Sequence, residues 1–363
     1  MTSRAPLGRA TAVADLGGRS AALHYGDPAL EVAALHEQAA VVDRGHRLRL
    51  RVRGARASEM VTGLVTNDVL ALTPGNGLYA AALTPKGKII ADVRIYSHAD
   101  SLVIDAPLRS VDGLMAVVRK FLNPRVAPYE DESSTTAMIG VRGPHAVDLV
   151  VAALRGDVTR ERLLGLPALG HVDVADGGWI ARSADLWVGG FDLFVGAGSA
   201  DEIWNALRDA GAIEAGLEAW DTVRVESGCA EWGIDIDDST IPQEANLDDL
   251  HAISYTKGCY TGQETVARVH FRGHVNRHLR GLRFARGAAL PGASATLFDG
   301  TGKPVGDVRS TVLSPRLGLV ALGMVRREVT AGEPVVVRWD GGEAAAVVET
   351  LPFLSADTAR VGL

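Results

Sequence analysis

Cysteine is nearly missing from this chain: Cys229 and Cys259 are the only two in 363 residues. That excludes a scaffold stapled by disulfides and suits a reducing compartment, with both thiols expected free. No run of about 18 or more apolar residues occurs, so no membrane span is expected. The opening stretch MTSRAPLGRATAVADLGGRS lacks the apolar core of a secretory leader. The expected location is therefore the cytoplasm. Positive charge is also in short supply: 37 Lys and Arg face 44 Asp and Glu, a formal net charge of −7. This weighs against a dedicated nucleic-acid binder, which needs concentrated positive charge. Proline is sparse beside glycine, 15 against 41, which points to many tight turns between short elements. No fixed-period repeat is visible.

What is present is ordinary globular material. Hydrophobic residues make up 47% and charged residues 22%, enough for a core without covalent help. The length allows two or three domains. Residues 30–43 read as an amphipathic helix running into a turn. Residues 47–54 alternate strictly, with Leu48, Leu50 and Val52 on one face and Arg47, Arg49, Arg51 and Arg53 on the other. An edge strand guarded by charge explains that arginine face, and an RNA or acidic-protein contact is the rival reading. Residues 77–96 read as two strands joined at a Thr84-Pro-Lys-Gly87 turn, and 110–122 as a helix stopped by Asn123-Pro124. Residues 186–196 read as a strand. Ser199 and Glu202 fit a capping box for the next helix, with Gly211 as its left-handed stop. After Arg280, short apolar runs are cut by Gly, Pro and Asp-Gly turns, the pattern of a small β-sandwich or barrel. The fold class is thus α+β with an all-β C-terminal unit, and a boundary is expected near 275–285.

Three features could carry chemistry. The first is YTKGCYTGQE, residues 255–264. Thr261 and Glu264 fit a capping box, which would put Cys259 just ahead of a helix N-terminus. A helix dipole and the neighbouring Lys257 would both favour a thiolate. The following TVARVHF is rich in β-branched residues and reads equally as a strand, in which case only the lysine argument survives. Gly258 and Gly262 would let a partner approach the backbone. The bland reading is a small buried hydrophobe. One thiol cannot hold a cluster by itself, so a self-contained iron–sulfur or zinc site is not expected. The second feature is His270, His274 and His278 among Arg268, Arg272, Arg277, Arg280 and Arg283. Gly273 breaks the spacing, so the run reads as a solvated linker or an anion site rather than a metal site. The third is Asp92, which the strand period places with Arg94 and Tyr96, opposite Ile89, Ala91, Val93 and Ile95. A surface ion pair with Arg94 is the favoured reading, and a carboxylate facing a pocket is the alternative.

The segment IPQEANLDDLHAISYTKGCYTGQETVARVHFRG, with LVTNDV, LYAAALTPKGKIIADVRIY, VRVESG and VGDVRSTVLSPRLGLVALG, resembles the YgfZ-type folate-binding proteins. These share the fold of the glycine-cleavage T-protein, an aminomethyltransferase. The motif falls on Lys257, Gly258, Cys259, Tyr260, Gly262, Gln263 and Glu264, and continues through Arg268 and Arg272. The resemblance implies three domains around a tetrahydrofolate site. These are a discontinuous first domain of residues 1–135 plus 218–278, a second of 136–217 and a C-terminal barrel of 279–363. It implies Tyr79, Asp92, Arg224, Glu226, Gln263 and Arg268 as folate-site residues, and Cys259, Lys257 and Asp92 as the reactive ones. The aminomethyltransferases carry two adjacent acidic residues where Ala91 and Asp92 stand, and a glutamate where Val188 stands. The implied function is a tetrahydrofolate-binding accessory protein for iron–sulfur client or assembly proteins. The alternative is a tetrahydrofolate-dependent aminomethyl- or methyltransferase.

Overall fold

The computed structural model describes residues 5–16, 18–292 and 294–353. Three large β systems organise it, beside a two-stranded sheet of Ala12–Asp15 and Ser20–His24. The first is an antiparallel sheet in the order Gly77–Leu83, Ile89–Ser97, Ser101–Ala106, Leu48–Arg53, Tyr129–Asp131. Its alternation is the expected one: Leu48, Leu50, Val52, Ala91, Val93 and Ile95 face a core closed by Val61, Leu114 and Val118 from two helices, Ala57–Thr62 and Val111–Phe121. Burying such side chains contributes roughly 1.5–3 kcal/mol each.

The second sheet runs His171–Asp173, Trp179–Arg182, Gly190–Gly196, Thr136–Arg142, Ala40–Asp43, Ile213–Ala215. Residues 40–43 therefore leave the expected helix, which spans only Pro28–Glu37. Val41 and Val42 are β-branched and pair with Val141 and Gly140 instead. This also crosses the expected domain division, because 40–43 hydrogen-bond into the sheet of 136–217. The strand expected at 186–196 begins only at Gly190. Ser199 does precede the helix Ala200–Asp209, but its side chain makes no capping hydrogen bond.

The third system is a closed six-stranded barrel between Arg277 and Glu349. The helix Leu217–Glu226 and the long segment after it join the barrel to the first sheet. Ala81, Leu83, Ile89, Leu247, Tyr260, Leu279, Leu322 and Met324 share one core there.

The arginine face of residues 47–53 is not an exposed edge. Its strand lies between two others, and Arg47 and Arg49 are 2% and 1% exposed. Arg49 donates to the Ser133 carbonyl (2.6 Å) and to Thr136 Oγ1 (2.8 Å). Arg51 and Arg53 meet Glu132. Arg49 thus ties the first sheet to Thr136 of the second, and strand periodicity alone does not reveal the partners that make this burial possible.

Candidate functional site

A cavity of about 530 Å³ opens where the first sheet, the 184–186 loop, the 227–251 segment and Leu351-Pro352 converge. Asp92 lies on its wall, only 4% exposed. Arg94, its expected ion-pair partner, turns instead to Asp105 (3.2 Å) and Asp185 (3.4 Å). Asp92 Oδ2 accepts from the Tyr79 hydroxyl at 2.9 Å, and Oδ1 is buried without a hydrogen-bond partner. Burial, then Asp92 itself, pushes the Tyr79 hydroxyl well above its ordinary range, so it remains a donor. Asp92 is thus a pocket carboxyl with one free acceptor, not a surface charge.

The cavity wall carries both signs of charge: Arg44, Arg47, Arg94 and Arg224 against Asp92, Asp185, Glu231 and Asp249. Arg44 and Arg47 line the same cavity, and Arg44 Nε and Arg47 Nη2 are buried without partners. Arg44 lies 3.6 Å over the Trp220 ring, and burial lowers its guanidinium to about 10. Arg47 is tied to Asp105 at 2.6 Å. Burial opposes ionisation of Asp185, but Arg142, Arg94 and Arg44 outweigh it and hold the carboxyl below the usual range. Unspent donors and one unspent acceptor around a cavity of this size suit a polar, drug-sized ligand.

Several residues here were not anticipated from the sequence: Arg44, Asn67, Asp185, Glu231, His251 and the second cysteine, Cys229. The Cys229 thiol donates to the Asp185 carbonyl, and burial pushes it up to about 12. Its position directly after VRVESG was the one sequence signal available.

Of the other expected site residues, Tyr79 and Arg224 share the cavity with Asp92 and the rest lie away from it. Arg224 borders the cavity, but its donors are spent on Asp235 (2.6 Å), Asp221 (2.8 Å), the Cys229 carbonyl (3.1 Å) and Ser310 Oγ (2.8 Å). Glu226 is 1% exposed and does not line the cavity. It accepts from Ser314 Oγ at 2.5 Å and meets His36 Nε2 at 2.7 Å. Gln263 and Arg268 sit on the helix Gln263–Arg272 and are not among the lining residues either. TVARVHF is helical, so a helix start does follow the cysteine, but its N-cap is Gly262 with no side-chain cap, and the Thr261–Glu264 box does not form.

Cys259 is exposed and free. Lys257 does not serve it: the ammonium donates to the carbonyls of Thr62, Val65 (2.7 Å) and Asn67 (2.8 Å), and burial lowers it to about 8. Tyr260 lies beneath it, 8% exposed, with the ammonium 4.8 Å from its ring. Gly262 is not an open approach. At φ 84° it packs on the 84–87 turn, and a Cβ there would meet the Thr84 carbonyl at 2.6 Å. Gly258 has open space around it, and Glu264 and Arg272 are exposed.

Residues 16–254 match the GCVT N-terminal domain, and residues 277–354 match the glycine cleavage T-protein C-terminal barrel domain. The chain belongs to the glycine cleavage T-protein family. Among its relatives, an aminomethyltransferase of Nostoc sp. is 31% identical over 351 residues, covering 93% of this chain and 90% of that protein. One from Nitrosomonas europaea is also 31% identical, covering 94% and 93%. The T-protein fold is shared with the glycine cleavage system aminomethyltransferase T of Bartonella henselae, at a TM-score of 0.87 and 23% identity over 96% of this chain and 95% of that one. Val188, where the resemblance expects a glutamate, is buried in an apolar cluster with Leu35, Leu186 and Trp220 and is not a wall of the Asp92 cavity. No helix among the described residues is long and apolar enough to cross a membrane.

Proposed function

We propose that the chain binds a tetrahydrofolate in the Asp92 cavity and acts there in aminomethyl or related one-carbon transfer, the activity for which its relatives are named. One observation carries the reading: Asp92 is held by Tyr79 through one oxygen and keeps the other free inside the cavity. The folate supplies the nitrogen that accepts the carbon unit. The protein's part is to hold a proton at Asp92 Oδ1, with Tyr79 fixing the carboxyl, while the unspent donors of Arg44 and Arg47 orient polar groups of the ligand. A positioned acid or base of this kind contributes about 10²–10⁴-fold. The test is titration with tetrahydrofolate followed by turnover with an aminomethyl-loaded donor protein, comparing wild type with Asp92→Asn. Binding retained with turnover lowered at least about a hundredfold supports the reading. Absence of binding by the wild type, or full turnover by the variant, overturns it.

A second reading rests on Cys259. Its thiol is exposed beside Gly258, which has nothing around it, and it lies outside the cavity wall. That suits the YgfZ-type role, in which a folate-bound protein offers one thiol to iron–sulfur client or assembly proteins. Cys259→Ala in a deletion strain separates the two. Lost activity of iron–sulfur enzymes with intact folate binding favours this role, and normal activity of those enzymes removes it.

A further inference from the structure

We propose that His98, His171 and Asp173 form a site for a divalent transition metal of the zinc type, clipping the first sheet to the second. The three offer ligand atoms that all lie within 4.8 Å of one another. They come from different parts of the fold: His98 follows the strand Ile89–Ser97, while His171 and Asp173 begin and end the strand His171–Asp173. The site is separate from the folate cavity, whose wall includes none of the three.

The hydrogen bonding favours a ligand. His171 spends Nε2 on the Ser97 carbonyl at 2.9 Å, and this bond makes Nε2 the protonated nitrogen. Nδ1 is left with its lone pair, buried and unpartnered in a residue only 6% exposed. Metal-bound histidines are held by just such a second bond to a backbone carbonyl. His98 has a side chain 10% exposed. Its Nδ1 stands 3.5 Å from Asp173 Oδ1, long for a hydrogen bond. That spacing matches the edge of a tetrahedron around zinc, about 3.4 Å for ligand bonds of about 2.0–2.2 Å.

The surroundings agree. Trp179 walls the pair, with ring centroids 5.0 Å from His98 and 5.2 Å from His171. Arg51, which bears electrostatically on His98, is held by Glu132 at 2.6 Å. Two imidazoles and one carboxylate leave a fourth position for water, the donor set preferred by zinc and its neighbours over magnesium or calcium.

The experiment is calorimetric titration of the full, tag-free, chelator-treated protein with zinc chloride, repeated with cobalt(II) to read tetrahedral coordination from its visible absorption. One equivalent bound at micromolar affinity or tighter is expected, together with a higher Tm. Asp173 has a side chain 78% exposed, so Asp173→Asn folds normally, and it should weaken binding at least about tenfold. His98→Gln should abolish it. Substitutions of the exposed His270, His274 and Cys259 should leave the titration unchanged. No binding by the wild type, or binding indifferent to both His98→Gln and Asp173→Asn, overturns the site.

Discussion

The Asp92 cavity and the Cys259 segment are opposites. The cavity is built from buried groups that the fold leaves unspent: Asp92 Oδ1, Arg44 Nε and Arg47 Nη2. The cysteine segment is on the outside, yet its most polar member is fully spent, because Lys257 gives its ammonium to three carbonyls. Function is written where hydrogen-bonding capacity is withheld from the protein itself. By that measure the cavity is where the proposed ligand belongs. In the other region the exposed Cys259 thiol is the reactive group on offer.

The contrast can be broken by substitution. The largest effect should come from Arg224→Ala, which leaves Asp235 buried at 0% exposure and without its ion-pair partner. A loss of about 3–5 kcal/mol in urea unfolding is expected. A variant of full stability that had lost only ligand affinity would put Arg224 back in the site. Lys257→Met should cost about 2 kcal/mol, since three carbonyls lose their shared donor. Unchanged unfolding there would return the lysine to the thiol. Tyr79→Phe removes the donor to Asp92 and should lower folate-dependent turnover about tenfold with KM little changed. Cys259→Ser should move stability by less than about 0.5 kcal/mol. Finally, an alkylating reagent at pH 8 should label Cys259 alone. Cys229, pushed up to about 12 by burial, carries almost no thiolate until the pH approaches that value or the protein unfolds. Equal labelling of both would mean that the cavity wall opens readily.

Much of the fold was legible because periodicity records burial on a single face. Leu48, Leu50 and Val52 face the core as their spacing requires, and the turn-rich C-terminal third closes as a barrel. What periodicity does not record is the partner. Arg47 and Arg49 alternate like a solvated face, yet they are buried, because Asp105 and the backbone around Ser133 and Thr136 come from distant segments. Asp92 was legible as a candidate, but its setting was not, since Arg94 is drawn away by Asp105 and Asp185. The cysteine motif attracted attention as chemistry, while most of its residues settle local packing. Gly262 accommodates the 84–87 turn, Tyr260 fills the core and Lys257 ties down residues 62–67.

The cavity wall draws on residues from Arg44 to Pro352, nearly the whole described chain. A ribosome would have to pass the last barrel strand before Leu351 and Pro352 could complete a wall whose other residues lie between Arg44 and His251. Sheets formed early in synthesis, as N-terminal units usually are, would wait with Asp92 and the arginines facing solvent. Capture of the proposed ligand would then report that Leu351 and Pro352 have reached the wall. Ligand added to a chain stalled before residue 351 should be held more weakly, because its wall lacks Leu351 and Pro352.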